Sequence, residues 1–165
     1  MNTITLVSEN KASQLITPSK VICIGRNYVE HIQELANEIP DEMVVFLKPN
    51  SSIGNELQAY HNNDALHYEA ELCFLYQAGK FAAVGLGLDL TKRGVQSKLK
   101  AKGLPWERAK AFDKSAVFSD FIPFDENVVD QLNLSLTIND KPTQVGGVPL
   151  MMFKPNEILS ELQTF

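Results

Sequence analysis

Two glutamates, Glu69 and Glu71, lie one residue apart in the segment 67–71 (HYEAE), which leads directly into an apolar stretch. Because the side chains of a β-strand alternate between faces, both would point the same way, about 6–7 Å apart. The same face continues through Cys73 and Leu75, which predicts that it turns inward. Two buried like charges repel each other and lose hydration, so a divalent cation would relieve both costs. The alternative is a solvated strand end with two harmless glutamates.

A third carboxylate, Asp89, ends a strand-like segment whose residues alternate in size. One face would carry Val84, Leu86, Leu88 and Leu90, and the other Gly85, Gly87 and Asp89. We expect the glycine face to leave room for a ligand or an ion beside Asp89. Three carboxylates without histidine or thiolate favour Mg²⁺, Mn²⁺ or Ca²⁺ over Zn²⁺. The alternative is that Asp89 caps a helix beginning at Thr91.

That helix, predicted to run from Thr91 to Gly103, carries Arg93 and Gln96 three residues apart and so on one face. Arg93 could bind a substrate carboxylate through two hydrogen bonds, and Gln96 could donate one to an oxyanion. The alternative for both is an exposed polar face. Three lysines further along, Lys98, Lys100 and Lys102, look like the exposed side of the helix.

His31 and Glu34 are also three residues apart, on a helix predicted from Asn27 to Glu38. A carboxylate beside an imidazole orients it and raises its basicity, which is the arrangement that activates water. The alternative is a surface pair. Lys110, in a segment of mixed charge, would ordinarily be read as a surface lysine.

Composition indicates a globular protein of ordinary polarity. The chain has 165 residues, of which 44% are hydrophobic and 21% charged, and a net charge of −5. An acidic chain without a basic stripe argues against nucleic acid or an anionic membrane as partner. No apolar run is long enough to span a bilayer, and the N-terminus has no secretory signal, so we expect a cytoplasmic protein. Cys23 and Cys73 lie in apolar runs and read as reduced core residues.

Five segments, taken in order, resemble the fumarylacetoacetate hydrolase family, in its small acylpyruvase-like branch. They are 20–28 (KVICIGRNY) with His31 and Glu34; 46–49 (FLKP) with Ser51; 67–71 (HYEAE); 87–91 (GLDLT) with Arg93 and Gln96; and 103–106 (GLPW) with 109–113 (AKAFD) and Ser115. The resemblance covers residues 20 to 165. It implies one catalytic domain over 1–165, an α+β and mainly β fold, built as a mixed β-roll or barrel with short flanking helices.

The resemblance also implies roles for these residues. Glu69, Glu71 and Asp89 would bind Mg²⁺ or Mn²⁺, with Ca²⁺ as a substitute in crystals. Arg26, Lys48 and Arg93 would bind a small keto-acid substrate. His31 and Glu34 would activate water, and Gln96 and Lys110 would stabilise the oxyanion. Members of the family usually dimerise, so we expect a homodimer.

The implied reaction is hydrolysis of a C–C bond in an acylpyruvate, which releases pyruvate. The alternatives are tautomerisation or decarboxylation of oxaloacetate, or isomerisation of a 2-hydroxy-dienedioate. The family usually continues past Phe165 with a segment that contacts substrate, so we expect a C-terminally truncated chain. A truncated, inactive domain that still binds metal is therefore a further alternative.

Overall fold

The structure, a computed structural model, describes residues 1–28 and 41–164. It is an α+β fold in which strands dominate, as predicted. The strands are β1 (Ile4–Val7), β2 (Ser13–Ile16), β3 (Lys20–Gly25), β4 (Val44–Pro49), β5 (Ile53–Gly54), β6 (Tyr60–His61), β7 (Asp64–Ala65), β8 (Ala70–Gln77), β9 (Lys80–Asp89), β10 (Ala116–Phe118), β11 (Ile122–Pro123), β12 (Asn133–Ile138) and β13 (Lys141–Gly147). The helices are α1 (Arg93–Ala101), α2 (Glu107–Lys110) and α3 (Pro155–Leu162), with 3₁₀ turns at Asn50–Ser52, Glu126–Gln131 and Val148–Leu150. None of these helices is long and apolar enough to cross a membrane.

Strand β9 is the centre of a five-stranded sheet. β8 pairs with one of its edges, β10 and β11 pair with the other, and β5 lies parallel to β10. The register places Glu71 opposite Gly87, and the Asp89 N–H donates to the Glu69 carbonyl at 2.8 Å. The three acidic residues therefore meet at the same end of this strand pair, as side-chain alternation predicts.

A small apolar core lies against this sheet and the first strand. It consists of Ile4, Ile53, Leu75, Ala83 and Phe121, all buried. Leu75 continues the inward face that begins with Glu71, which confirms the predicted direction of that face. The carboxylates are consequently at the margin of the core and not on a solvated strand.

Several predicted elements are confirmed, and others need correction. The strands predicted at 21–25 and 44–47 form the antiparallel pair β3–β4, and the last helix is α3. The two strands are half-buried, so their predicted burial is wrong. β8 begins at Ala70, so Glu69 immediately precedes the strand. The helix at 91–103 is shorter, beginning at Arg93, and the polar loop 51–64 contains three short strands. The helix predicted from Asn27 to Glu38 lies mostly outside the described residues.

The glycine face of β9 is filled by neighbouring side chains, so the expected empty space beside Asp89 is wrong at two positions. A Cβ added to Gly87 would lie 2.5 Å from Cys73 Sγ, and one added to Gly85 would lie 3.2 Å from the ring of Phe121. The glycines are needed for this close approach between neighbours.

Gln144, on β13, completes the hydrogen bonding of Ala70, the residue between the two glutamates. The Ala70 N–H donates to Gln144 Oε1 at 2.9 Å, and Gln144 Nε2 donates to the Ala70 carbonyl at 2.7 Å. A side-chain amide thus takes the place of a strand neighbour at the free edge of β8. Buried backbone groups require partners, so Gln144 fixes the segment that carries Glu69 and Glu71.

Replacing Gln144 with leucine is expected to lower the free energy of unfolding by about 2 kcal/mol, because two buried backbone groups lose their partners. Urea unfolding followed by circular dichroism measures the change. Gln163→Leu, at an exposed position after α3, is the control and should change stability little. Equal stability of wild type and Gln144→Leu would contradict this role.

Candidate active site

Eight of the ten residues predicted as a site line one cavity of about 610 Å³. They are Arg26, Lys48, Glu69, Glu71, Asp89, Arg93, Gln96 and Lys110. The other two, His31 and Glu34, lie outside the described residues. The fold therefore brings the carboxylates at the β8–β9 end together with cations from β4, α1 and α2.

Lys110 lies between two of the carboxylates. Its ammonium group donates to Glu69 Oε2 at 2.6 Å, to Asp89 Oδ2 at 2.5 Å and to Thr91 Oγ1 at 2.7 Å. A lysine has three N–H donors, so all of them are used here. Burial alone would lower the pKa of Lys110, but the charges of Asp89 and Glu69 outweigh it and raise the pKa. Lys110 is only 3% exposed, which rules out the surface reading.

Arg93 connects helix α1 to the same cluster. Its guanidinium group donates to Glu69 Oε1 and, at 2.6 Å, to Gln96 Oε1. Burial would raise the pKa of Glu69, but Lys110 and Arg93 together lower it to about 2. Gln96 is 4% exposed, so an exposed polar face is wrong for this residue. Its oxygen is used by Arg93, which leaves the amide nitrogen as the group that Gln96 can offer a ligand.

Lys48 supports Asp89 from the side of β4. Its ammonium group lies 2.8 Å from Asp89 Oδ1 and 3.0 Å from both oxygens of Ser115, and it also donates to the Lys110 carbonyl. Burial lowers the pKa of Lys48, while Asp89 opposes that shift. Lys48 thus contacts protein oxygens on several sides, and the substrate contact implied for it stays a prediction.

Two acceptors of the cluster lack hydrogen bonds from any residue that the structure describes. Asp89 Oδ1 is buried and has none, since its ion pair with Lys48 does not have hydrogen-bond geometry. The second acceptor is the Glu71 carboxylate, which, unlike Asp89, also has no ion pair within residues 1–28 and 41–164. Burial, together with the charges of Asp89 and Glu69, raises the pKa of Glu71 to about 8. The cluster therefore has a deficit of positive charge at Glu71.

The three carboxylates suit a hard divalent cation for two reasons: they offer only oxygen ligands, and the cluster has a deficit of positive charge at Glu71. All-oxygen ligand sets suit Mg²⁺, Mn²⁺ and Ca²⁺. In the part of the chain that the structure describes, however, no three His, Cys, Asp or Glu side chains are gathered around one point as metal ligands. Lys110 holds the place of a cation between Glu69 and Asp89, and an ion would have to take over that contact.

Two alternative readings of the acidic residues are wrong. The side chains of Glu69 and Asp89 are only 14% and 11% exposed, so they do not form a solvated strand end. Asp89 does not cap the following helix, because α1 has Lys92 at its N-cap and no side-chain cap there.

Sequence reasoning missed several residues that line this cavity or support its lining from behind. Thr91 and Ser115 are fully buried and orient Lys110 and Lys48, a role that depends on tertiary contacts and leaves no signal in the spacing. Lys100 lines the cavity, so its placement on the exposed side of the helix is wrong. Its position four residues after Gln96 could have indicated this. Tyr28 also lines the cavity.

The two cysteines are free thiols that line the same cavity. Burial, together with the charge of Asp89, raises the pKa of Cys23 to about 12. Burial, with the charge of Glu71, also raises the pKa of Cys73. The thiol form is therefore favoured for both. Both are half-buried at the cavity wall rather than in the core, although Cys73 packs against the core, and their reduced state stays a prediction.

Residues 20–80 and 81–165 match the family described as the fumarylacetoacetate (FAA) hydrolase C-terminal domain. The chain is 37% identical over 163 residues to the oxaloacetate tautomerase YcgM of Escherichia coli, covering 89% of this chain and 74% of that protein. It is 34% identical over 163 residues to the mitochondrial oxaloacetate tautomerase FAHD1 of Arabidopsis thaliana, covering 88% and 72%. Because one relative is mitochondrial by name, the cytoplasmic location stays a prediction.

The fold is similar to a solved fumarylpyruvate hydrolase from Pseudomonas aeruginosa, which is in complex with Mn²⁺ and pyruvate. The TM-score is 0.83 at 26% identity, and the match covers 99% of this chain and 78% of that one. These relatives are enzymes that bear the names of tautomerases and hydrolases.

Proposed function

Since the chain belongs to the fumarylacetoacetate hydrolase family, we propose that it interconverts the keto and enol forms of oxaloacetate. The observation that carries the proposal is the buried cluster of Glu69, Glu71 and Asp89 beside Lys110 and Arg93, inside a cavity large enough for a small keto acid. The names of the relatives at 37% and 34% identity support oxaloacetate as substrate.

Enolisation removes a proton from the carbon next to the ketone, which places negative charge on the ketone oxygen, and a proton added to that oxygen completes the enol. A divalent ion held by Glu69, Glu71 and Asp89 would supply Lewis-acid stabilisation of that charge. Arg93 and the amide nitrogen of Gln96 lie on the cavity side of α1, where they would bind the carboxylate next to the ketone. Lys48 would keep Asp89 charged and oriented for this task. Lys110 would yield its contacts with Glu69 and Asp89 to the ion and could then donate to the oxyanion.

Hydrolysis of an acylpyruvate is the second candidate function. Like tautomerisation, hydrolysis develops negative charge on the ketone oxygen, but it also needs an activated water. We propose that His31 and Glu34 activate this water. The observation in its favour is that a structural relative is named a fumarylpyruvate hydrolase and is in complex with pyruvate. The sequence alone favoured hydrolysis, and the names of the closer sequence relatives favour tautomerisation. The expected homodimer and single domain stay proposals.

Two substrates distinguish these functions. We expect the protein with Mg²⁺ or Mn²⁺ to accelerate the loss of enol-oxaloacetate absorbance well above a protein-free control that contains the same metal. Acetylpyruvate, followed by pyruvate release, reports hydrolysis. His31→Ala should remove any pyruvate release and leave most tautomerisation, because only hydrolysis needs the activated water.

Pyruvate release as the faster reaction would overturn the first proposal in favour of the second. A folded protein that turns over neither substrate would overturn both and favour an inactive, metal-binding domain.

A further inference from the structure

Helix α1 presents a stripe of three polar residues to the cavity. Arg93, Gln96 and Lys100 are spaced by three and four residues, which places them on one face of the helix, and all three line the cavity. Arg93 already donates hydrogen bonds to both Gln96 and Glu69. Lys100, one turn further along, is the member of the stripe that the proposed reaction does not use.

Lys100 is half-buried and lies among other positive charges. Its ammonium group lies 4.9 Å from the centre of the Trp106 ring, which forms one wall of the cavity. Burial, followed by the charges of Arg26 and Arg93, lowers the pKa of Lys100. Three cationic side chains therefore share one end of the cavity.

Among the described residues, only one of these three cations has an acidic partner. Arg93 is paired with Glu69, whereas neither Lys100 nor Arg26 forms an ion pair with any carboxylate in residues 1–28 and 41–164. Unpaired cations at a partly buried position are unfavourable unless a ligand neutralises them. This end of the cavity thus has a deficit of negative charge, in contrast to the deficit of positive charge at Glu71.

Arg26 has two further features that indicate a ligand contact. Its Nε is buried and has no hydrogen-bond partner among residues 1–28 and 41–164. Its backbone has a φ of 55°, a left-handed conformation that costs a non-glycine residue roughly 1 kcal/mol or more. The next residue holds this turn in place, because the Asn27 side chain exchanges two hydrogen bonds with the backbone of Phe153.

We propose that Lys100 and Arg26 bind the second carboxylate of a dicarboxylic 2-oxo acid. The inference rests on the proposed function, in which the first carboxylate and the ketone face Arg93, Gln96 and the acidic cluster. Lys100 is then a residue that determines specificity: a substrate with a neutral tail would leave two cations unpaired, and the site would reject it. An enzyme that produces this substrate or uses the product would therefore also act on a short dicarboxylic acid.

A variant of Lys100 tests this with two substrates that differ by one charge. For enol-oxaloacetate, Lys100→Met is expected to raise KM about 10- to 100-fold, because one charge-assisted hydrogen bond is lost. The value of kcat should change little. For the 4-methyl ester of oxaloacetate, whose second carboxylate is masked, KM should stay nearly the same. Lys100→Arg should restore most of the affinity for the diacid. Lys98→Met, at an exposed position of the same helix, is the control.

Binding without turnover gives an independent measurement. Trp106 is the only tryptophan of the chain and lies beside Lys100, so its fluorescence should report occupation of this end of the cavity. Malate should change the emission in a saturable way, lactate should bind at least 10-fold more weakly, and Lys100→Met should abolish the difference.

The two experiments distinguish failure of the Lys100 contact from failure of the proposed function. If wild-type protein tautomerises oxaloacetate but Lys100→Met affects the diacid and the monoester equally, the inference is wrong and the proposed function stands. If wild-type protein turns over neither compound, the proposed function fails. The malate and lactate titration then still decides the inference, and equal binding of the two acids would overturn it.

Discussion

Replacing Asp89 with asparagine is expected to lower kcat/KM for enol-oxaloacetate by about 10²- to 10³-fold, the effect of losing one major electrostatic contact to the reacting centre. Asp89 is the acidic residue that contacts both Lys110 and Lys48 and still has an unsatisfied oxygen. The amide keeps the size of the side chain but removes the charge that a divalent ion requires. Initial rates and the electron paramagnetic resonance signal of free Mn²⁺ measure both losses.

Glu161→Gln, at an exposed position of α3, is the matched control and should keep wild-type rates and Mn²⁺ binding. Circular dichroism should show that Asp89→Asn remains folded. A folded Asp89→Asn protein that binds Mn²⁺ and turns over oxaloacetate as the wild type does would remove Asp89 from the metal site.

Replacing Lys110 with methionine is expected to lower the free energy of unfolding of the chelator-treated protein by about 3–5 kcal/mol, the cost of leaving buried charges without a partner. Glu69 and Asp89 would each lose a hydrogen bond of 2.5–2.6 Å, and Thr91 would lose its donor. Mn²⁺ should recover part of the lost stability, because an ion bound by the same carboxylates would restore the positive charge. Urea unfolding with chelator and with Mn²⁺ measures both effects.

Lys102→Met, at an exposed position after α1, is the control and should change stability by less than about 0.5 kcal/mol. Two results would contradict this account of Lys110. One is a Lys110→Met protein as stable as the wild type in chelator. The other is a destabilised protein whose stability Mn²⁺ leaves unchanged, since the carboxylates would then not exchange the ammonium group for an ion.

The sequence predicts the acidic pair well because the relevant geometry is local. Alternation along a strand is enough to place Glu69 and Glu71 on one inward face, and the register with β9 then adds Asp89. Strand pairs and the last helix follow from apolar runs and from Pro155 for the same reason. Helical spacing likewise placed Arg93 and Gln96 together.

The rest of the site depends on contacts between residues far apart in the sequence. Nothing in the segment around Lys110 indicates that its ammonium group reaches Glu69, 41 residues away. Gln144 bonds Ala70 across 74 residues and has no local signature of that role. The glycines of β9 suggested empty space, but their neighbours Cys73 and Phe121 fill it, which only the packing could show.

The central claim is that a divalent ion at the acidic cluster supports enolisation of oxaloacetate. Its most direct test is the rate of enol-oxaloacetate loss by chelator-stripped protein, measured as Mn²⁺ is added in steps and corrected for the rate with Mn²⁺ alone. We expect almost no activity before addition and a linear rise that ends at one ion per chain, with no rise for Asp89→Asn. Full activity of the stripped wild-type protein would contradict it.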